Sequence, residues 1–347
     1  MQTWRNLLKK SISTVDDLPL ALRPDHAQTN EVTKRYPMRI NPYYLGLIRE
    51  KNDPLWKQAV PDIREIQDQV CMRDPLGEED LSPVPNLIHK YPDRVLFLVT
   101  SQCAMYCRFC TRKRKVGTSG MAITRETIQA GLEYIRQTPQ VRDVLVSGGD
   151  PLLLDDEILE WILSSLRSIP SVEIIRIGSR APCTLPMRVT TRLVKILKKF
   201  HPLYINTHFN HPDEITPQSS LACTRLADAG IPLGCQTVLL RGVNDHPETM
   251  KKLMRRLLMI RVKPYYLFQT DLTLGTNHFR IPIETGLEIM KSLIGHISGL
   301  GVPTYAVDAP GGGGKIPLTP NYVQELGDQL IFTNYCDRTC IYENAKK

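Results

Sequence analysis

The sequence predicts an α/β fold: a partial (β/α)6-type TIM-like barrel, with a helical extension before it and a short segment after it. Three observations predict this. From about residue 95 onward, short apolar runs alternate with helical segments, the pattern of βαβ units and a parallel sheet. About six such units follow one another, which favours a barrel or partial barrel over a short doubly wound sheet. Cysteine, glycine and polar residues cluster just after the strand ends, where a barrel keeps its chemistry.

Residues 1–94 read as a helical and irregular extension, punctuated by proline in "NPYYLGLIREKNDPLW" and "DPLGEEDLSPVPNLIHKYPDR". The barrel occupies 95–300 and opens with the buried strand "RVLFLVTS". "TRETIQAGLEYIRQ" has helical spacing, and Thr124 is placed to cap it because a threonine oxygen can accept from the first free amides. The further strands are "DVLVSGG", "VEIIRIGS", "LYINTHF", "LGCQTVLL" and "KPYYLFQ". Between them lie the helices "DDEILEWILSSLRSI", "TTRLVKILKKF", "SLACTRLADAG" and "PETMKKLMRRLLMI", and "ETGLEIMKSLIGHI" follows the last strand. A segment at 301–347 begins with one more strand, "VPTYAVDAP".

The chain has 347 residues, 42% apolar and 23% charged, ordinary usage for a globular protein able to bury a barrel-sized core. No apolar run reaches bilayer length, and "MQTWRNLLKKSIS" lacks the apolar centre of a signal peptide, so a cytoplasmic protein without membrane contact is expected. The formal charge of +8 comes from scattered short clusters such as "TRKRK" and "KKLMRR". Solvated faces or anionic small-molecule cofactors account for these better than a nucleic-acid stripe. In a reducing compartment, the clustered members of the nine cysteines point to metal or catalysis.

"TSQCAMYCRFCTRKRK" places Cys103, Cys107 and Cys110 on one loop with C-x3-C-x2-C spacing. A structural zinc site would want a fourth protein ligand nearby. An iron–sulfur cluster is held by thiolates and can leave one iron without a protein ligand, open to a substrate. This motif after the first barrel strand resembles the radical S-adenosylmethionine superfamily. The resemblance implies a 4Fe–4S cluster on Cys103, Cys107 and Cys110. Its open iron would chelate S-adenosyl-L-methionine and, on reduction, release a 5′-deoxyadenosyl radical. "SGGDPL" resembles the superfamily motif that holds the methionine amino group, which implies cofactor contacts at Ser147, Gly148, Gly149 and Asp150.

"VDAPGGGGKIP" fails as a phosphate loop: Ala309 stands where the pattern needs glycine, and Ile316 follows the lysine. A glycine run lets backbone approach a flat cofactor, and a lysine amine can capture a carbonyl cofactor. Together with the cysteine motif, the stretch resembles the lysine 2,3-aminomutase family, whose members carry pyridoxal 5′-phosphate as well. The similarity runs through "INPYYLGLI", "PVPNLIHKYPDRVLFLVT", "QTPQVRDVLVSGGDPL", "THFNHPDEIT", "LLRGVNDH", "VKPYYLFQTDL" and "VDAPGGGGK".

The resemblance implies that Lys315 carries pyridoxal phosphate and that Lys90, Tyr91 and Arg94 pack on that cofactor and its phosphate. The family has arginine where Lys90 stands, so the charge is kept and the fork geometry is lost. Arg112 would pair with the substrate carboxylate, and His208 and Gln236 would line the S-adenosylmethionine site. Asp271 and Asp308 match two carboxylates that bind the ε-ammonium of lysine; two anions there select a cation and repel glutamate, while arginine remains open. The implied enzyme is an isomerase that interconverts L-lysine and L-β-lysine. A small electron carrier such as flavodoxin or ferredoxin would serve it, and a homo-oligomer is expected. His246, Cys336 and Cys340 match neither the count nor the spacing of the zinc site carried by family members. Two rival readings are a paralogue supplying β-lysine to elongation factor P, which lacks this form of lysine loop, and a non-catalytic cluster protein.

Overall fold

A computed structural model describes residues 3–25 and 29–345. One nine-stranded sheet carries the barrel, its strands in sequence order. They are β1 (Leu87–Tyr91), β2 (Arg94–Leu98), β3 (Asp143–Ser147), β4 (Ile174–Gly178), β5 (Leu203–Thr207), β6 (Leu233–Val238), β7 (Lys263–Phe268), β8 (Thr304–Ala309) and β9 (Gly314–Pro317). Neighbours from β2 to β8 pair parallel. β1 and β9 are antiparallel edges.

Helices cover the outside of the parallel strands because each buries one stripe. Arg125–Gln137 turns Ile128, Leu132 and Ile135 inward, and Thr124 accepts from the Thr127 amide as its cap. Asp156–Arg167 does the same with Leu159, Ile162, Leu163 and Leu166, and Pro247–Met259 with Met250, Leu253, Met254 and Leu257. Opposite them, Val144 and Val146 of β3 and Ile175 and Ile177 of β4 are fully buried. Each such side chain contributes roughly 1.5–3 kcal/mol.

Three regions differ from the sequence reading. Gly314–Pro317, read as part of a glycine run, forms the edge strand β9 against β8. Residues 87–91, which looked irregular, form β1, because Leu87 and Ile88 find partners in Phe97 and Leu96 of β2. The end of the chain forms a separate three-stranded antiparallel sheet of β10 (Val323–Leu326), β11 (Gln329–Thr333) and β12 (Thr339–Glu343). The barrel sheet curls until its two antiparallel edges meet through side chains: the Tyr91 hydroxyl of β1 accepts from the Lys315 amide of β9 at 3.1 Å. Among the described residues no helix is long and apolar enough to cross a membrane.

Candidate active site

The loop after β2 folds its three cysteines around one small cavity, which Tyr36, Met105, Arg108 and Lys113 also line. Burial pushes the Cys103 thiol well above its ordinary range and the Cys110 thiol to about 11. Thiols of this kind ligate iron only by releasing protons, so loading is coupled to proton loss. Cys107 is different: the buried Arg180 guanidinium donates to its sulfur at 2.8 Å. Arg180 is itself held by Glu214 at 2.7 Å and Gln58 at 2.6 Å.

The Ser147–Asp150 stretch backs this loop directly. The Gly149 amide donates to the Thr100 carbonyl at 2.6 Å, and the Asp150 amide to that of Gln102 at 2.7 Å. A Cβ on Gly148 would lie 2.2 Å from the Thr100 oxygen, and one on Gly149 2.3 Å from that of Gln102. Only glycine lets the two loops lie back to back. The Asp150 carboxylate accepts from the Ser179 hydroxyl and the Arg180 amide at 2.7 and 3.0 Å, so it ties the exits of β3 and β4 together.

Beneath the cysteine loop lies a buried ionic knot. Glu65 takes Arg108 through both oxygens and Lys113 through one. Burial opposes its charge, but Arg108 and Lys113 win and hold Glu65 down to about 2. Burial lowers the Lys113 ammonium to about 8 although Glu65 pulls the other way.

Lys315 lies at the other side of the barrel mouth. It stands directly across the β8–β9 ladder from Asp308, and its ammonium contacts both Asp308 oxygens at 3.1 Å. Lys90 reaches the same carboxylate at 3.7 Å, and the face of Phe268 lies 5.1 Å from the Lys315 Nζ. Asp271 completes the group. Burial, reinforced by Asp308, raises its carboxyl to about 7, while Lys315 and Lys90 pull it down.

Contacts run from the cysteine loop toward this group. The Cys110 sulfur accepts from the Arg112 amide at 3.4 Å, and the Arg112 guanidinium grips Glu78. Arg114 and Lys115, which read as solvated, pair with Asp74 and Glu79 instead.

Other expected residues sit as follows. Tyr91 touches the Lys315 backbone. Arg94 opens β2 at the end away from the cysteines, pairs with Asp93 at 2.8 Å and stacks on Tyr91. His208 bonds Asn210 at 2.9 Å; burial and Arg180 push it down to about 3, so its ring is neutral. Gln236 is half-buried on β6, level with Tyr266. His246 precedes the helix Pro247–Met259, whereas Cys336 and Cys340 lie on the C-terminal sheet and its turn. Among the described residues no three His, Cys, Asp or Glu converge on a single metal ion; the thiolates of a cluster bind different irons, so they need not converge on one. Glu65, Glu78, Arg180 and Glu214 were not found by sequence reasoning. The only trace of Glu78 is an acidic "GEED" facing a basic "RKRK".

A family model described as the radical SAM superfamily matches residues 97–257, and one described as lysine-2,3-aminomutase matches 290–347. An L-lysine 2,3-aminomutase of Clostridium subterminale is 53% identical, over 96% of this chain and 82% of its own. One from Methanococcus maripaludis is 54% identical, over 94% and 78%. A glutamate 2,3-aminomutase of Clostridioides difficile is 44% identical, over 95% and 80%.

Proposed function

The chain belongs to the lysine 2,3-aminomutase family within the radical SAM superfamily, and from that premise we propose that it interconverts L-lysine and L-β-lysine. The observation that carries the choice of substrate is the charge pattern between the cysteines and Lys315: a guanidinium at Arg112, and two carboxylates at Asp271 and Asp308. An α-carboxylate fits the first and a distal ammonium fits the second. A second carboxylate in place of that ammonium would meet two anions, which favours lysine over glutamate.

The residues fit the groups this reaction needs. Three sulfur donors around one cavity suit a 4Fe–4S cluster, and the Ser147–Asp150 loop, His208 and Gln236 are the chain's candidates for S-adenosylmethionine. Lys315 is the candidate anchor for pyridoxal phosphate, with Tyr91 on its backbone and Lys90 on its counter-ion Asp308; Arg94, stacked on Tyr91 and paired with Asp93, is the further candidate for the phosphate. When bound, these groups supply a radical that removes hydrogen from an unactivated carbon and a π-system that carries the migrating nitrogen.

The chain's own share is orientation and charge. Asp308 now holds the Lys315 ammonium, an alkylammonium like that of substrate lysine. Engaging Lys315 elsewhere frees this carboxylate for the substrate. Asp271, near neutrality, can take up or release a proton as that exchange occurs. The closely packed loops around Cys103–Cys110 keep water from a reactive carbon.

We also place the protein in a reducing cytoplasm as a homo-oligomer, with its nine cysteines free and a small one-electron carrier such as flavodoxin or ferredoxin as donor. An anaerobic assay of lysine, arginine and glutamate with mass detection of β-isomers tests the proposal. β-Lysine as the dominant product supports it. Equal turnover of all three, or β-glutamate alone, overturns it.

A further inference from the structure

Arg112 is oriented by the protein itself. Its Nε and Nη2 donate to the two oxygens of Glu78 at 2.9 and 2.5 Å, and both side chains are nearly enclosed, 16% and 6% exposed. A guanidinium held through that edge presents its Nη1 edge to a second anion. Glu78 rides on a strap, residues 74–79, that is fastened at both ends. On one side Asp74 and Glu79 pair with Arg114 at 2.9 and 3.2 Å, and Glu79 with Lys115 at 3.2 Å. On the other side the Gly311 amide donates to the Pro75 carbonyl at 2.8 Å. Gly77 lies so close that a Cβ there would be 3.2 Å from the Gly311 carbonyl carbon. The strap therefore spans from the cysteine loop to the glycine loop that precedes Lys315.

We propose that Glu78 is a positioning residue that fixes the Arg112 fork for the substrate's α-carboxylate. The strap thereby sets where that carboxylate lies relative to Asp271 and Asp308. This rests on the reading of the site as an amino-acid pocket. Without Glu78, a long flexible side chain would have to be ordered by the substrate itself, and binding would weaken. The effect is confined to ligands that carry a carboxylate. A merely structural strap would weaken every ligand alike, and a Glu78 that competed for the guanidinium would make its removal tighten binding.

The test is calorimetric titration of the cofactor-loaded protein, without reductant and so without turnover, by L-lysine and by L-lysinamide. The amide keeps both amines and loses the carboxylate charge. Wild type is expected to prefer lysine, and Glu78→Gln to lose about tenfold in lysine affinity while lysinamide changes by less than about twofold. Iron and pyridoxal phosphate content should match wild type. Equal weakening of both ligands, no change, or tighter lysine binding overturns this inference and leaves the pocket reading standing. A wild type that binds neither ligand overturns both. Should Glu78→Gln not load or fold, the same ratio is read in Glu78→Asp, whose carboxylate is set back by one methylene and so loses the short two-point contact with Arg112. A reduced lysine preference there supports the proposal, and an unchanged one overturns it.

Discussion

Lys315 and Asp308 face each other across the β8–β9 ladder, the ammonium 3.1 Å from both carboxylate oxygens. The pair brings two functions to one point: a lysine able to anchor a carbonyl cofactor, and a carboxylate able to hold the far end of a lysine substrate. Asp308→Asn removes the second function and leaves Lys315 without its main counter-ion. Its expected effect is a rise in lysine KM of about tenfold or more, with iron content unchanged because the cysteine loop lies elsewhere. Steady-state kinetics and an iron assay check it.

Asp271 predicts a pH dependence. Its carboxyl titrates at about 7, from an ordinary 3.8, because burial and Asp308 disfavour its charge. Lysine needs the ionised form, so affinity should fall as pH drops below about 7, and binding near pH 6 should release a proton. The stability of the ligand-free protein runs the other way. Between about 4 and 7 the folded state holds a proton that the unfolded state has lost, so this group makes stability decline with rising pH until about 7. Calorimetry in buffers of different ionisation heat would show the proton. Its absence, or its persistence in Asp271→Asn, contradicts the assignment.

Gly148→Ala should act on the cysteine loop from behind. The new methyl group would meet the Thr100 oxygen at 2.2 Å in a left-handed backbone of φ +134°, so one of the two loops must move. The outcome expected is a folded protein with less than about half the wild-type iron per chain, since three thiolates must share one cavity to hold a cluster. Circular dichroism with an iron assay separates the two effects.

Arg180 should tune whatever metal Cys107 holds. A cation hydrogen-bonded to a ligating sulfur stabilises the more reduced, more negative cluster. Arg180→Gln is therefore expected to move the cluster potential in the negative direction. It also leaves Glu214 buried with Tyr44 and Asn210 but without its cation, which costs about 3–5 kcal/mol. Arg180→Lys should recover part of both losses. A redox titration followed by electron paramagnetic resonance reads the first, and thermal unfolding the second.

The parallel strands and their covering helices were legible because period-two and helical spacings are local. The cysteine loop was legible too, as a motif, and so were Asp308 and Lys315 as separate candidates; the β8–β9 hairpin that sets the two face to face was not, because a glycine run reads as a loop until the ladder closes it. Nor were partnerships over longer separations. Gly77 packs on Gly311, Glu78 on Arg112 and Glu65 on Arg108, and nothing in either member of these pairs announces the other. β1 stayed hidden for the same reason: a five-residue strand among prolines becomes one only when β2 supplies its hydrogen bonds. Arg114 and Lys115 misled as surface charge because their acids lie some 35 to 40 residues earlier, on the strap.

The most direct test of the central claim is one anaerobic, reductant-driven reaction with L-lysine, run in parallel on wild type, Cys107→Ala and Lys315→Ala, with β-lysine measured by mass spectrometry. The expected result is β-lysine from wild type alone. Lys315→Ala should retain its iron and lose pyridoxal phosphate, and Cys107→Ala should show the reverse. β-Lysine formed by either variant at the wild-type rate would contradict the view that the three thiols and this one amine serve a single reaction.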